Sequence, residues 1–132
     1  MPFGVATVVT NAGKAIIAGR MFGATPSQAE PNFCAMGTGA TAAARTAAAA
    51  DTALSTQVES RVAGTSSRVT TTVTNDTHQV VGTITASAAR AVDEAGLFDA
   101  STGGNMYTSA THNVVNLASG DSLQYTWKVQ FQ

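Results

Sequence analysis

Ser122-Leu123-Gln124-Tyr125-Thr126-Trp127-Lys128-Val129-Gln130-Phe131 alternates polar and apolar residues without a break. A strand puts successive side chains on opposite faces, so Leu123, Tyr125, Trp127, Val129 and Phe131 share one oily face. That pattern belongs to an antiparallel sheet with one side on a core. The chain's single Trp and one of its two Tyr residues are placed here for packing. Trp127 is expected to be buried, with Tyr125 and Phe131 on the same face.

The preceding segments read the same way. Ala91–Phe98 and Met106–His112 form a hairpin across Asp99–Asn105, whose tip is Gly103-Gly104. Residues 68–86 read as a second hairpin. Arg68–Asn75 carries Val69, Thr71 and Val73 on one face, Asn75-Asp76 turns the chain, and His78–Ala86 carries Val80, Gly82 and Ile84. Val58–Val62 and Phe33–Met36 are shorter strands. Strands at this spacing predict a mainly β fold, an antiparallel β-sandwich of jelly-roll or immunoglobulin-like type.

Thr10 or Asn11 can cap a short helix running to about Arg20, with Ile16, Ile17 and Met21 as its apolar face. Residues 23–32 are a loop rich in Pro and small polar residues. The Ala-rich tract Ala40–Ala53 has almost no large apolar residue. It reads either as part helix over Thr46–Leu54 or as a loop with one turn near Asp51–Leu54. Residues 1–9 are an edge strand or an extended arm on a single domain spanning 1–132.

The totals exclude several classes. The chain has 132 residues, 11% of them charged, and a net charge of −1. A nucleic-acid binder normally shows a basic face, and none is present. No run approaches the roughly 20 apolar residues of a membrane span. The opening MPFGVATVV has no basic start and no long apolar stretch, so no signal peptide is expected and the protein is made in the cytoplasm. The lone Cys34 cannot pair within the chain and reads as a small buried hydrophobe.

The chemical motifs are weak. Gly37-Thr38-Gly39-Ala40-Thr41-Ala42 fits the dinucleotide pattern G-x-G-x-x-A, with Glu59 near the position of the ribose acid. A Rossmann unit needs parallel strands, whereas the rest of the chain reads as antiparallel hairpins, so no cofactor is expected. Asp93 and Glu94 are adjacent in a strand and point to opposite faces, which rules out a paired acid and base. One of them is expected to face inward and to be partnered by Arg90, Arg68 or backbone amides. Gly96 beside Glu94 allows a bulge. His78 and His112 have no metal-ligand spacing around them, and no metal or catalytic residue is assigned.

Five short segments stand in a recognisable order. Thr10-Asn11-Ala12-Gly13-Lys14-Ala15 matches an opening N-x-G helix. Ala35-Met36-Gly37-Thr38-Gly39 matches a strand ending in G-x-G. Asp51-Thr52-Ala53-Leu54 matches D-T-x-L. Glu94-Ala95-Gly96-Leu97-Phe98-Asp99, continuing to Gly103-Gly104, matches E-x-G-[LI]-F. Gly120-Asp121-Ser122-Leu123 leads into the last strand. In these segments the chain resembles a group of small bacteriophage virion proteins found among tail-fibre, tail-collar and head-decoration genes. The resemblance implies a β-sandwich that builds or decorates a virion, and no enzyme.

A tail fibre needs length from a coiled coil, a β-helix or repeats, and this chain has none. A compact module with an uncharged arm fits a capsid decoration, or cement, protein. The expected partners are further copies of itself in a homo-oligomer, taken as a trimer, and the major capsid protein or a tail protein. The alternative is a tail-fibre, collar or sugar-binding host-adsorption module. Phe3, Val5, Val8 and Val9 are the candidate interface residues, because an unpaired apolar edge invites association. Glu94, Gly96 and Trp127 are the candidate structural residues.

Overall fold

The computed structural model describes residues 6–22 and 28–132. Among them are eight strands and one helix: β1 (Ala6–Val9), α1 (Asn11–Met21), β2 (Phe33–Thr38), β3 (Thr56–Ala63), β4 (Thr65–Val69), β5 (Thr77–Thr85), β6 (Arg90–Phe98), β7 (Met106–Leu117) and β8 (Ser122–Gln130). They make two antiparallel sheets, one in the order β1-β7-β6-β2-β3 and one in the order β4-β5-β8. The fold is a β-sandwich with one short helix.

The main core lies between the sheets. Met36, Val92, Leu97 and Tyr107 of the larger sheet meet Val80, Ile84 and Trp127 of the smaller, and Ile16 of α1 joins them. On β8, Leu123, Tyr125 and Val129 pack against this core and Trp127 is 6% exposed. The alternation of β8 thus sets the inner face of the smaller sheet. It stops at Gln130, the last residue paired with β5, and Phe131 is 51% exposed. Phe131, whose N–H still donates to the Asp76 carbonyl at 2.9 Å, lies at the open end of that face, beside Ile16, Ile17 and Tyr107, and is only half covered.

Residues 56–69 cross between the sheets. β3 pairs with β2, β4 pairs with β5, and only Gly64 separates them. A Cβ at Gly64 would lie 2.6 Å from Val80 Cγ1 and 2.9 Å from the Val81 carbonyl oxygen. The crossing therefore needs a residue without a side chain.

Thr10 joins α1 to the larger sheet. Its side chain accepts from Gly13 N–H at 2.9 Å and donates to the Met106 carbonyl, and its own N–H donates to the Tyr107 carbonyl at 3.1 Å. This is an N-cap that also bonds across to β7. Ile16 is buried and Ile17 half-buried, but Met21 is 82% exposed. Met21 is not part of the buried face: it ends the helix, where the chain leaves β7.

Three sequence expectations shift. The strand expected over 68–75 lies at Thr65–Val69, and residues 70–76 form a connection. The Asp76 carboxylate causes this, accepting from the N–H groups of Thr71, Thr72 and Val73 at 2.8–2.9 Å. A local carboxylate competes here with the sheet ladder for the same donors. The Ala-rich tract contains no helix, only turns at 40–44 and 49–50. β7 runs to Leu117, five residues past the expected end at His112.

Of the two readings of the N-terminus, Ala6–Val9 is the edge strand. It pairs with β7 from Ala6 opposite Thr111 to Val9 opposite Thr108. It is therefore not a free arm. Residues 1–5 lie outside the described residues, as do 23–27 of the expected loop.

Candidate functional site

The segment between β2 and β3 crosses the outer face of the larger sheet. It turns sharply after Gly39, with Ala43 N–H bonded to the Gly39 carbonyl and Arg45 N–H to the Ala40 carbonyl. It then reaches β7, where Ala47 N–H donates to Thr111 Oγ1 at 3.3 Å, and α1, where Asn11 N–H donates to the Ala49 carbonyl at 2.7 Å. Leu54 from this segment packs with Ala35, Phe98 and Met106 in a second, smaller core.

Three carboxylates hold the segment down. Glu94, fully buried, accepts from Arg45 Nε at 3.1 Å and Nη2 at 2.7 Å through Oε2, and from Thr56 N–H at 3.1 Å through Oε1. Asp51 Oδ2 accepts from Arg45 Nη1 at 2.6 Å, from Ser109 Oγ at 2.6 Å and from Ala48 N–H at 3.0 Å. These donors hold the Asp51 carboxyl below the ordinary carboxylate range although burial acts against them. Asp93 accepts from Ala40 N–H at 3.1 Å and Thr41 N–H at 2.7 Å, and these bonds lower it in spite of burial.

Both carboxylates of the Asp93-Glu94 pair are buried, at 3% and 0% exposure, not one of the two. Alternation puts Asp93 with Ala95 and Leu97, and Glu94 with Gly96 and Phe98. The pairing shifts beside them. Two steps along β6, from Val92 to Glu94, face four along β7, from Val115 to Thr111. This first irregularity adds residues to β7, and a second, where Leu97 faces Thr108 but Phe98 faces Met106, lies next to Gly96. A Cβ at Gly96 would come within 3.1 Å of Met106 Cε and Phe98 Cε2, so Gly96 makes room for the second core.

Of the expected partners, backbone amides serve both acids, Thr56 N–H on Glu94 and those of Ala40 and Thr41 on Asp93, whereas neither expected arginine reaches them. Arg90 donates to Glu59 at 3.0 Å, and Arg68 lies on the other sheet. The charged partner of Glu94 is Arg45, 49 residues away in sequence. Its one sequence signal is that it is the only charged residue in the run Ala40–Ala50. The Gly37-Thr38-Gly39 turn also differs from a phosphate cradle. Its strand runs antiparallel to both neighbours, and the amides of Ala40 and Thr41 are filled by Asp93. Glu59 accepts from Arg90 and Ser87.

Of the candidate interface residues, Val8 and Val9 are half-buried in β1, while Phe3 and Val5 lie outside the described residues. Among the described residues, the exposed large apolar side chains are Met21, Phe22, Val73, Val114 and Phe131.

Among the described residues, clefts open on the surface at two places. One, of about 260 Å³, lies between β7 and β8 and is bordered by Ala110, His112, Val115, Leu123, Tyr125 and Trp127. His112 Nε2 and Tyr125 OH are 2.9 Å apart at its edge. The other, of about 560 Å³, lies between α1 and β4. Ser66 Oγ and His78 Nε2 are 2.8 Å apart in it, and His78 Nδ1 is 3.4 Å from Tyr107 OH. Sequence spacing could not show this cluster, since its members come from three strands. Burial lowers the His78 pKa, with Glu30 pulling it up and Arg20 pushing it further down.

In the main core the Cys34 thiol packs against Gly82, where any Cβ would collide with the sulfur. Burial pushes the thiol up to about 11, so Cys34 is an inert core residue. The Trp127 indole N–H is the one group acting the other way, and it makes no full hydrogen bond: Nε1 is buried without a partner.

Among the described residues no group of three or more His, Cys, Asp or Glu could hold a metal ion, and no helix is long and apolar enough to cross a membrane. Comparison with known family models, curated proteins and solved structures finds no match to the chain.

Proposed function

We propose that this chain is a non-enzymatic structural component of a bacteriophage particle, a decoration protein that cements neighbouring capsid subunits. One observation carries the reading. Gly37, Asp51, Leu54, Glu94 and Phe98 come from the separate segments that resemble virion proteins, and they converge on one place. Asp51 and Glu94 share Arg45, Gly37 lies against Glu94, and Leu54 packs with Phe98. All five hold a long segment onto a sheet. None of the three carboxylates there is left to do proton chemistry on a substrate, because each already accepts from two or more donors. Residues spent on fixing shape are what a protein used for its surface requires.

The partners under this reading are further copies of the chain and the major capsid protein. β1 is an edge strand, so its outer backbone groups can take another strand. That makes the stretch through Val8 and Val9 the proposed contact. The virion, assembled in the host cytoplasm, is the proposed location.

A tail or host-adsorption module is the second reading, favoured by the apolar cleft of about 260 Å³ at His112, Tyr125 and Trp127. Quantitative gel analysis of purified particles separates the two. Hundreds of copies per particle are expected for head decoration. A handful would move the protein to the tail, and absence from particles would overturn both. Retention on a glycan array would favour the adsorption module.

A further inference from the structure

Charged residues are scarce in this chain, yet three of them line the larger cleft: Arg20, Glu30 and Arg68. Arg20 stands in the last turn of α1, and its Nη1 donates to the Gln28 carbonyl at 3.1 Å. The Arg68 guanidinium, on the edge strand β4, has no hydrogen bond or ion pair among the described residues. Glu30 is in ion-pair contact with neither. The lining thus carries two guanidinium groups and one carboxylate, a net positive charge.

The rest of the lining is different. Ile16, Ile17, Met21 and Phe131 form apolar walls, and two of these, Met21 and Phe131, are 82% and 51% exposed. Exposed apolar side chains gain by being covered, and a guanidinium without a partner among the described residues is free to take an anion, so each favours a different half of one ligand. The volume, about 560 Å³, lies within the roughly 300–1,000 Å³ usual for small-molecule sites.

We infer that the α1/β4 cleft binds a small amphipathic carboxylate, an acid with an aliphatic body of fatty-acid type. The carboxylate is held by Arg68 and Arg20, and the body lies along Ile17, Met21 and Phe131. A planar guanidinium matches a carboxylate with two parallel N–H donors, which sets the orientation. A cation is disfavoured by the two arginines, and a wholly neutral chain leaves Arg68 unpaired. This site is independent of the virion reading.

The test is titration of the full ¹⁵N-labelled chain with sodium octanoate, and separately with octan-1-ol, followed by amide shifts. Octanoate should bind saturably and at least tenfold more tightly than the alcohol. The shifts should gather at Ile17, Arg20, Met21, Arg68 and Phe131. Combined Arg20→Gln and Arg68→Gln should bring octanoate down to the affinity of the alcohol. Both side chains are exposed, so the fold is retained and the spectrum reports it. Equal affinity for alcohol and acid, unchanged binding by the double variant, shifts centred on His112 and Tyr125, or no saturable shift at all would each overturn the assignment.

Discussion

Arg45 Nε and Nη2 both donate to a single oxygen of Glu94, at 3.1 and 2.7 Å. The third nitrogen, Nη1, goes to Asp51 at 2.6 Å. One guanidinium thus ties a strand of the larger sheet to the far end of the segment that crosses it. Glu94 is fully buried, while the Arg45 side chain is 18% exposed. The two ends of this pair do not bear removal equally.

Arg45→Ala strands a buried carboxylate, and the loss should be about 3–5 kcal/mol. Arg45→Lys should recover only part of it, since an ammonium cannot serve Glu94 and Asp51 from one plane. Glu94→Gln should be milder than Glu94→Ala, because the amide oxygen can still accept from Thr56 N–H. Urea unfolding of the four variants checks the order. Equal stability of Arg45→Ala and wild type would remove the lock.

Gly37 makes room for this arrangement. A Cβ there would lie 2.6 Å from Glu94 Oε1 and 2.8 Å from the Thr56 carbonyl oxygen. Gly37→Ala should cost about 1–3 kcal/mol by overpacking. Much of the strain is against Glu94, so Gly37→Ala combined with Glu94→Ala should cost less than the two separately. Simple additivity in a double-mutant cycle would show that the strain is against backbone alone.

Trp127 carries the inner face of the smaller sheet. Trp127→Ala should cost about 3–5 kcal/mol. Lys128 beside it points away and is exposed, so Lys128→Ala should stay within about 0.5 kcal/mol. Thermal melts of the pair test the face assignment, which would be wrong if Trp127→Ala melted like wild type.

The two sheets were legible to the degree that each strand obeys its own pattern. β8 is read correctly from Leu123 to Val129 because every residue in it is paired with β5. Phe131 continues the pattern to the open end of the sheet, where its N–H still bonds to Asp76 but too little lies over the ring to bury it. The lower part of β7 was harder. Its extra residues between Thr111 and Val115 break the alternation, and they are defined only by its register against β6. The 70–76 connection reads as strand from its Thr and Val content, yet one carboxylate, Asp76, gathers its amides. The need for a partner at Glu94 followed from burying a charge. Its identity did not, because Arg45 is brought there by a loop whose path no periodicity encodes.

Acid should act on this protein in two steps. Burial is the main cause that lowers the His78 pKa, so the folded chain resists a proton that the unfolded chain accepts near 6.5. Between those two values the unfolded state binds more protons, so stability is full above about pH 6.5 and falls as the pH drops toward the folded value. Asp51, Asp76 and Asp93 are also lowered, but from the carboxylate range. Their contribution is present above about pH 3.9 and is lost only as the pH falls further, through their folded values. His78→Gln should therefore abolish the fall in melting temperature that begins near pH 6.5 and leave the acid limb intact. Glu30→Gln should deepen the first step, because Glu30 is the charge that favours the protonated ring. Melting temperatures of wild type and both variants from pH 7.5 to 2.5 decide the matter. A first step that survives in His78→Gln would assign it to another group.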